Sequence, residues 1–161
     1  MLLSEKHAVT SFDCGVKSKN TFLQKFALQN SKGGLGRTYV AEKAPDENTI
    51  FGYYTISSSS VKFANIPSQN LPRYPIPSVL IGKLAIDKIV QNQGLGSVLL
   101  FDGLKRAAKI ADELGVFLVE VSALDENAKA FYKKHEFVEM LDADSRLYLS
   151  LKKIRKLLAV R

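Results

Sequence analysis

A glycine-punctuated turn between a short apolar strand and a helix is the feature that most restricts how this chain folds. Residues 84–99 read Leu-Ala-Ile-Asp-Lys-Ile-Val-Gln-Asn-Gln-Gly-Leu-Gly-Ser-Val-Leu. The glycines at 94 and 96 let the backbone bend sharply, so that several backbone N–H groups and the helix N-terminus point towards one anion. The pattern therefore predicts a phosphate-binding loop, with a pyrophosphate as the expected ligand.

Spacing separates three kinds of anion-binding loop. A P-loop requires a lysine directly after its last glycine, and Gly96 is not followed by one. A dinucleotide-binding loop requires a third glycine where this chain has Leu99. The remaining pattern is Q-x-x-G-x-G, formed by Gln91, Gly94 and Gly96. Taken alone, this pattern is equally consistent with an ordinary glycine-rich turn.

Length and composition are those of one globular domain. The 161 residues are 46% hydrophobic and 24% charged, which is typical of a folded protein that buries a sizeable core. We therefore expect a single domain over residues 1–161. No apolar run approaches the roughly 20 residues that span a bilayer, and the first residues lack the basic and apolar parts of a signal peptide. The sequence predicts a cytoplasmic protein that does not enter a membrane.

Cysteine and histidine are scarce. Cys14 is the only cysteine, and His7 and His135 are the only histidines. An internal disulfide is therefore excluded, and no metal-ligand spacing is present, so no metal is expected. A nucleophilic pair of Cys14 with His7 is one interpretation, and a small half-buried thiol is the other.

The net charge of +7 indicates an acidic partner. Nucleic acid is the simplest such partner, and electrostatic steering of an anionic substrate is the alternative. The basic residues occur in local groups, each of which is also consistent with ordinary solvated lysines. The C-terminal group consists of Lys152, Lys153, Arg155, Lys156 and Arg161.

Apolar periodicity predicts alternating helices and strands. A first helix, capped by Asn20 or Ser18, is expected to bury Phe22 and Leu23 and to end near Ser31. Four prolines and a serine run argue for an extended excursion over residues 57–77. The helix after the glycine loop is expected to end at Gly115, and a later helix, 125–134, to be capped by Asp125. Strands are predicted at residues 37–42, 50–57, 79–86, 116–121, 137–138 and 146–151.

The second half of the chain contains further motifs in a distinctive order. After the strand at 84–87 and the loop at 91–96 come a long helix, a strand ending Val-Glu-Val at 119–121, and Asn-Ala-Lys-Ala-Phe-Tyr at 127–132. This half is similar to the GNAT N-acetyltransferases, whose Q-x-x-G-x-G loop binds acyl-CoA. The resemblance implies an α/β (α+β) GNAT-like fold. Its central mixed, mostly antiparallel sheet is splayed at the acyl-CoA site and flanked by helices.

The first half narrows the resemblance to one branch of that family. Phe-Asp-Cys-Gly at 12–15, Gly-Tyr-Tyr-Thr-Ile-Ser at 52–57 and Pro-Ile-Pro at 75–77 resemble the bacterial GNAT toxins of type II toxin–antitoxin systems. Those toxins acetylate the α-amine of aminoacyl-tRNA and so inhibit translation. The resemblance implies acetyl-CoA as cosubstrate and a ribbon-helix-helix antitoxin as partner, with DNA bound only through that complex. It also implies a homodimer.

The resemblance also implies which residues hold acetyl-CoA. In this family the cosubstrate lies where two parallel strands diverge, so the backbone of Leu84, Ala85 and Ile86 is expected to bind the pantetheine. Asn127 is expected to contact the cofactor arm. The alternative interpretation is that Asn127 is an ordinary residue on a helix surface. The backbone N–H groups that would hold the pyrophosphate are those of Gln91, Asn92, Gln93, Gly94, Leu95, Gly96 and Ser97.

Tyr132 matches the general acid of the family. A phenol with a pKa near 10 is protonated at neutral pH and can give a proton to the departing CoA thiolate, whose conjugate acid has a pKa near 8.5 by analogy with cysteine. Adjacent helical residues point about 100° apart. We therefore expect Phe131 to serve the core and Tyr132 to face the cleft. The alternative is that Tyr132 is itself a core aromatic.

The sequence contains no obvious general base. A lysine amine, with a pKa near 10.4, would need strong help to lose its proton, whereas an α-amine with a pKa near 7.7 to 8.0 is already partly neutral. The absence of a base therefore favours an α-amine substrate, attacked directly in a ternary complex without a covalent enzyme intermediate.

Two other functions remain open. The same chemistry on protein N-termini or small-molecule amines would make the basic surface incidental, and a catalytically inactive module that binds RNA or protein would keep only the fold.

If the substrate is tRNA, the candidates for RNA contact are Arg37, Arg73 and Lys83. The toxins commonly have arginine at the position of Lys83, where lysine offers a point charge in place of a planar fork.

Overall fold

The computed structural model describes residues 1–67, 71–141 and 145–160. Cα packing divides the chain into two compact units. Unit 1 comprises Met1–Ser57 and Gly82–Gly103, and unit 2 comprises Ser58–Ile81 and Leu104–Arg161. The strands are β1 (Arg37–Glu42), β2 (Ile50–Val61), β3 (Ile76–Ile86), β4 (Leu118–Ser122), β5 (Val138–Glu139) and β6 (Arg146–Ser150). The α-helices are α1 (Lys17–Thr21), α2 (Ala27–Lys32), α3 (Leu95–Ile110), α4 (Glu126–Lys134) and α5 (Leu151–Ala159).

The strands form one six-stranded sheet in the order β1-β2-β3-β4-β6-β5. The pairs β1/β2, β4/β6 and β5/β6 are antiparallel, and β3 pairs with β4 in parallel. The predicted α/β fold with a mixed, mostly antiparallel sheet is therefore confirmed. The parallel register joins Ser78–Ile81 to Leu118–Val121, and β3 continues beyond it to Ile86.

Unit 1 has an aromatic and aliphatic core. Tyr53 is fully buried, and its ring meets Phe12 edge-on with centroids 5.5 Å apart. Between α1 and α2 the chain forms a π-helical stretch, Phe22–Phe26. The other buried members of this core are Leu3, Cys14, Leu23, Ala27, Val40, Ile50 and Ala85.

The start of the first helix differs from the prediction. The helix begins at Lys17, with Val16 at the N-cap position and no side-chain cap. Asn20 does not cap it because its side chain is used elsewhere: Oδ1 accepts a hydrogen bond from the Cys14 backbone N–H at 2.9 Å. The thiol of Cys14 is buried and donates to the carbonyl of Val16 at 3.6 Å. These contacts are those of a structural thiol, which answers the choice left open by the sequence.

Unit 2 has a second core and two well-capped helices. Asp125 caps α4 as predicted, since its Oδ1 accepts from the Ala128 backbone N–H at 2.8 Å. Ser150 caps α5 through the Lys153 backbone N–H at 3.3 Å. The core of this unit contains Val61, Ile66, Ile76, Leu118 and Met140.

Two boundaries predicted in this part of the chain were wrong. The segment 57–77 is not one extended excursion, because β2 runs to Val61 and β3 already begins at Ile76; a 3₁₀ turn, Phe63–Asn65, lies between them. Residues 68–70 of that segment lie outside the described residues. The other wrong boundary is the end of helix α3, which was predicted at Gly115 and lies at Ile110. Tight turns replace the helix there, with the Asp112 backbone N–H donating to the Lys109 carbonyl at 3.1 Å.

Candidate functional site

The glycine loop leads directly into helix α3. Gly94 has φ +85°, and Asn92 also has a positive φ of +63°. The sequence had suggested that Gly96 and Ser97 belong to the loop. They belong instead to the first turn of α3, because that helix begins at Leu95. The first turn of an α-helix has backbone N–H groups without intrahelical acceptors. This end of α3 therefore presents N–H donors and the positive end of the helix dipole to an anion.

The space around Gly94 is open. A Cβ atom built on Gly94 would meet no other atom within 4 Å. Glycine is therefore required here by the left-handed backbone conformation and not by crowding. An exposed, open glycine turn followed by a helix N-terminus is an arrangement that binds phosphate groups, so the residues present suit the phosphates of acetyl-CoA.

Gly94→Ala is expected to weaken acetyl-CoA binding and to lower stability by about 1–2 kcal/mol, because alanine disfavours a left-handed conformation. Gly115→Ala is the matched control, since Gly115 also has open space around it and is not among the positive-φ glycines. Calorimetric titration with acetyl-CoA and thermal unfolding would measure both effects. Equal affinity of the two variants would contradict a role for the turn geometry.

A clamp of side chains fixes the start of the loop. The side-chain Nε2 of Gln91 donates to the carbonyls of Cys14 and Ile86, both at 2.9 Å. Asp87 is buried, and its Oδ2 accepts from the Asp13 backbone N–H at 3.1 Å. The sequence interpretation placed Gln91 among the phosphate-binding residues through its backbone, whereas its side chain holds an N-terminal segment against the loop. The sequence interpretation gave no role to Asp87. The only feature of the sequence that could have indicated one is a carboxylate directly after a strand.

Asp13 is the second carboxylate of this clamp. Its Oδ1 accepts from the Gly15 backbone N–H and from Asn20 Nδ2, each at 2.9 Å, and its Oδ2 lies 2.9 Å from Lys88 Nζ. The hydrogen bond from Lys88, followed by those from Gly15 and Asn20, lowers the pKa of Asp13 to about 2. The carboxylate is therefore the stable form of Asp13 in the folded protein.

The clamp should contribute stability that disappears in acid. Since folding lowers the pKa of Asp13 from 3.8 to about 2, its contribution is present above pH 4 and is lost as the pH falls towards 2. We expect the free energy of unfolding of the wild type to fall more steeply over this range than that of Asp13→Asn. Urea unfolding at intervals between pH 2 and 6 measures the difference. Parallel curves for the two proteins would contradict the assignment.

The end of strand β3 is held by a lysine that the sequence interpretation missed. The Lys19 ammonium donates to the carbonyl of Leu84 at 3.0 Å, and Lys83 places its ammonium 4.5 Å from the centre of the Phe22 ring. Lys19 belongs to α1 and Phe22 opens the π-helical stretch that follows it, so this continuous helical segment contacts two successive residues of β3. Ala85 is buried, and its carbonyl oxygen would lie 3.1 Å from a Cβ built at Gly52.

Tyr132 is buried among aromatic side chains. It is 5% exposed, and its ring packs against those of Phe131 and Phe137, with centroids 5.3 and 5.5 Å away. Phe131, which was expected to serve the core, is only half-buried. That Tyr132 faces the cleft stays a prediction. Burial raises the pKa of Tyr132 to about 12. Asn127, on the same helix α4, is exposed.

The candidates for RNA contact differ in what they touch. Arg37 is exposed, and its guanidinium donates to the Ser31 carbonyl. Arg73 is also exposed and lies 6.0 Å from the centre of the Phe63 ring. Both side chains keep a surface that is accessible to phosphate.

The predicted residues are divided between the two units. Unit 1 contains Arg37, Lys83 and the whole of residues 84–97, and unit 2 contains Arg73, Asn127 and Tyr132. Among the described residues, no group of three His, Cys, Asp or Glu side chains is placed to hold a metal ion. No helix in the part of the chain that the structure describes is long and apolar enough to cross a membrane.

Comparison with known proteins gives consistent similarities. A family model described as an acetyltransferase (GNAT) domain matches residues 34–139. The tRNA-acetylating toxin of Mycobacterium tuberculosis (strain ATCC 25618 / H37Rv) is 36% identical over 138 residues, which are 84% of this chain and 81% of that protein. The probable toxin TacT of Sinorhizobium fredii (strain NBRC 101917 / NGR234) is 30% identical over 164 residues, covering 95% of this chain and 90% of that protein.

Solved structures are similar over almost the entire chain. AtaT complexed with acetyl-methionyl-tRNAfMet has a TM-score of 0.92 at 28% identity, covering 98% of this chain and 97% of that one. AtaTR bound with AcCoA gives a TM-score of 0.87 at 29% identity and 98% and 95% coverage. The AtaT-AtaR complex bound to DNA gives 0.81 at 28% identity and 98% and 97% coverage.

Proposed function

Because this chain belongs to the GNAT acetyltransferase family, we propose that it acetylates the α-amino group of aminoacyl-tRNA and thereby inhibits translation. Membership of the family makes the chain an acetyl-CoA-dependent N-acetyltransferase. The observation that supports the substrate is its similarity, along nearly the whole chain, to a toxin that acetylates tRNA and to AtaT in complex with acetyl-methionyl-tRNA. The net charge of +7 suits a polyanionic substrate.

Acetyl-CoA is held mainly by backbone groups in this proposal. The N–H groups from Gln91 to Ser97 and the dipole of α3 bind the pyrophosphate, and the open turn at Gly94 leaves room for it. The backbone of Leu84–Ile86 binds the pantetheine, and Asn127 contacts the cofactor arm. The carbonyls of Leu84 and Ile86 already accept from Lys19 and Gln91 respectively. These donors fix the position of the strand end that receives the thioester.

Tyr132 is the general acid of the proposed reaction. The neutral amine attacks the thioester carbonyl, the new C–N bond forms and the C–S bond breaks. Tyr132 donates its phenolic proton to the leaving sulfur, and the proton lost by the amine restores the phenol through solvent. Because burial raises the pKa of Tyr132 to about 12, the phenol stays protonated at neutral pH and releases its proton only as the thiolate develops.

The choice of an α-amine follows from protonation. An α-amino group has a pKa near 7.7 to 8.0, so a useful fraction is neutral at pH 7, whereas a lysine side chain is almost entirely charged. An enzyme without a dedicated base therefore suits an aminoacyl ester better than a lysine. Acetylation removes the amine that would otherwise react in peptide bond formation.

The proposal also covers partners and location. The AtaT-AtaR complex bound to DNA supports an antitoxin as the protein partner of this chain, with DNA contacted only through that complex. We propose that the antitoxin is of the ribbon-helix-helix type, that the toxin is a homodimer, and that it acts in the cytoplasm, where aminoacyl-tRNA is found.

Transfer of labelled acetyl groups from acetyl-CoA to a mixed aminoacyl-tRNA pool tests the function. Deacylated tRNA, free amino acids and a peptide with a free N-terminus serve as parallel substrates. We expect label on charged tRNA only. Label on the peptide or on free amines would favour the protein N-terminus or small-amine alternative, and binding of RNA without any transfer would indicate an inactive binding module.

A further inference from the structure

The C-terminal half of helix α3 and the whole of helix α5, both in unit 2, carry an exposed set of basic side chains that the proposed mechanism does not use. On α3, Lys105 and Lys109 are exposed and lie one helical turn apart. On α5, Lys152 and Lys156 have the same spacing and are also exposed. Each helix therefore presents a pair of lysines on one side.

The orientation of α5 is set by its apolar residues. Leu151 and Ile154 are buried, so the opposite side of the helix, with Lys152 and Lys156, faces solvent. The cap from Ser150 fixes where the helix begins. The basic side of α5 is therefore a defined surface of a folded helix.

An ion pair joins the two helices at this surface. Arg155 of α5 donates from Nη2 to Oδ1 of Asp112 at 3.1 Å, and Asp112 lies two residues beyond the end of α3. Asp112 lies in the tight turn after α3, where its backbone N–H donates to the Lys109 carbonyl at 3.1 Å, so Arg155 is paired within one turn of Lys109. Arg155 and Asp112 thereby bring the lysine pairs of both helices to one surface. We call this surface the basic helix pair; its members are Lys105, Lys109, Lys152, Arg155 and Lys156.

Positive charge on this surface is poorly compensated. Within the described residues, none of the four lysines has a carboxylate at ion-pair distance, and Asp112 is already paired with Arg155. Glu113, the residue that follows Asp112 in the sequence, is also acidic. Like charges one turn apart destabilise a helix by a few tenths of a kcal/mol per pair. Lys109 and Lys156 lie in the last turns of their helices, where the helix dipole favours a cation. The repeated lysines also match a ligand with closely spaced negative charges.

We propose that the basic helix pair binds the phosphodiester backbone of the tRNA, as a surface additional to the site that receives the aminoacyl end. This inference rests on the proposed function, which makes tRNA the substrate. Lysines at exposed helical positions contact phosphates as point charges and do not read bases. The surface therefore adds affinity for tRNA of any sequence, and the choice of amino acid or tRNA is made elsewhere.

The test compares two double variants that remove the same charge. Lys152→Ala with Lys156→Ala removes half of the lysines of the basic helix pair, and alanine is compatible with a helix. The control, Lys43→Ala with Lys62→Ala, removes two exposed lysines outside these helices. Binding of uncharged tRNA is measured by fluorescence anisotropy at several salt concentrations, and acetylation of aminoacyl-tRNA by steady-state kinetics. Circular dichroism confirms that both variants are folded.

We expect the α5 variant to bind tRNA roughly tenfold more weakly and to show a salt slope smaller by about 2, since two phosphate contacts are lost. Its KM for aminoacyl-tRNA should rise by a similar factor with kcat unchanged, and the control should match the wild type. Unchanged affinity and slope in the α5 variant, or equal losses in both variants, would overturn the inference. If the wild type itself transfers no acetyl group to aminoacyl-tRNA, the proposed function fails, which is a separate result.

Discussion

Tyr132→Phe is expected to lower kcat for acetyl transfer by about 10²- to 10⁴-fold, the usual contribution of a general acid. The substitution removes only the hydroxyl. The ring keeps its contacts with Phe131 and Phe137 at centroid distances of 5.3 and 5.5 Å, so the fold and the dissociation constant for acetyl-CoA should hardly change. A loss confined to kcat would place the defect in the chemical step.

The control for this prediction is Tyr74→Phe, which removes a hydroxyl from a tyrosine that is 60% exposed. This variant should keep the wild-type rate. The pH profile gives a second check. Because the pKa of Tyr132 is about 12, deprotonation of this residue should not lower the wild-type rate below about pH 11. A wild-type rate in Tyr132→Phe would assign the proton donor to another group.

Arg146→Met is expected to lower the free energy of unfolding by about 3 kcal/mol, because it leaves a buried carboxylate without its cation. Glu120 has a side chain that is only 4% exposed, and its Oε2 accepts from Arg146 Nη2 at 2.6 Å. Its other oxygen accepts from the hydroxyl of Ser59. For a chain of this size, the expected change in Tm is roughly 10 °C.

The double variant Arg146→Met with Glu120→Leu separates the loss of an ion pair from general disruption. Replacement of both charges by apolar side chains is often neutral, so most of the lost stability should return. Arg73→Met is the control for loss of an exposed arginine and should change stability by less than about 0.5 kcal/mol. Calorimetry on the four proteins measures the effects. Equal stability of Arg146→Met and the wild type would show that the pair contributes nothing.

The sequence was most informative where structure depends on neighbours within a few residues. Strand β1 has the bounds predicted for it, Arg37–Glu42, and Asp125 caps α4 as expected. The glycine loop leads into α3 as predicted, and Gly94 has the positive φ that its residue type permits. These features depend on turn and capping preferences, which are properties of short segments. The same local motifs carried the resemblance from which the family, cosubstrate and substrate class were predicted.

The sequence was least informative where distant segments compete for the same groups. Asn20 was predicted to cap a helix, but its side chain binds the backbone of Cys14 and the carboxylate of Asp13. Gln91 has a side chain that bridges segments 77 residues apart, which no local pattern reveals. The boundaries of β2 and β3 were wrong for a similar reason, because pairing in the sheet overrides the local effect of prolines and serines.

The sequence by itself determined the order of helices and strands around the glycine loop, the helix cap at Asp125 and the family, because each depends on residue types at short spacings. Only the tertiary structure decided which side of α4 is buried, that Glu120 pairs with Arg146, and that Asp13, Asp87 and Gln91 clamp the loop. Burial and pairing depend on which distant segments meet. The spacing of residues along the chain does not contain that information.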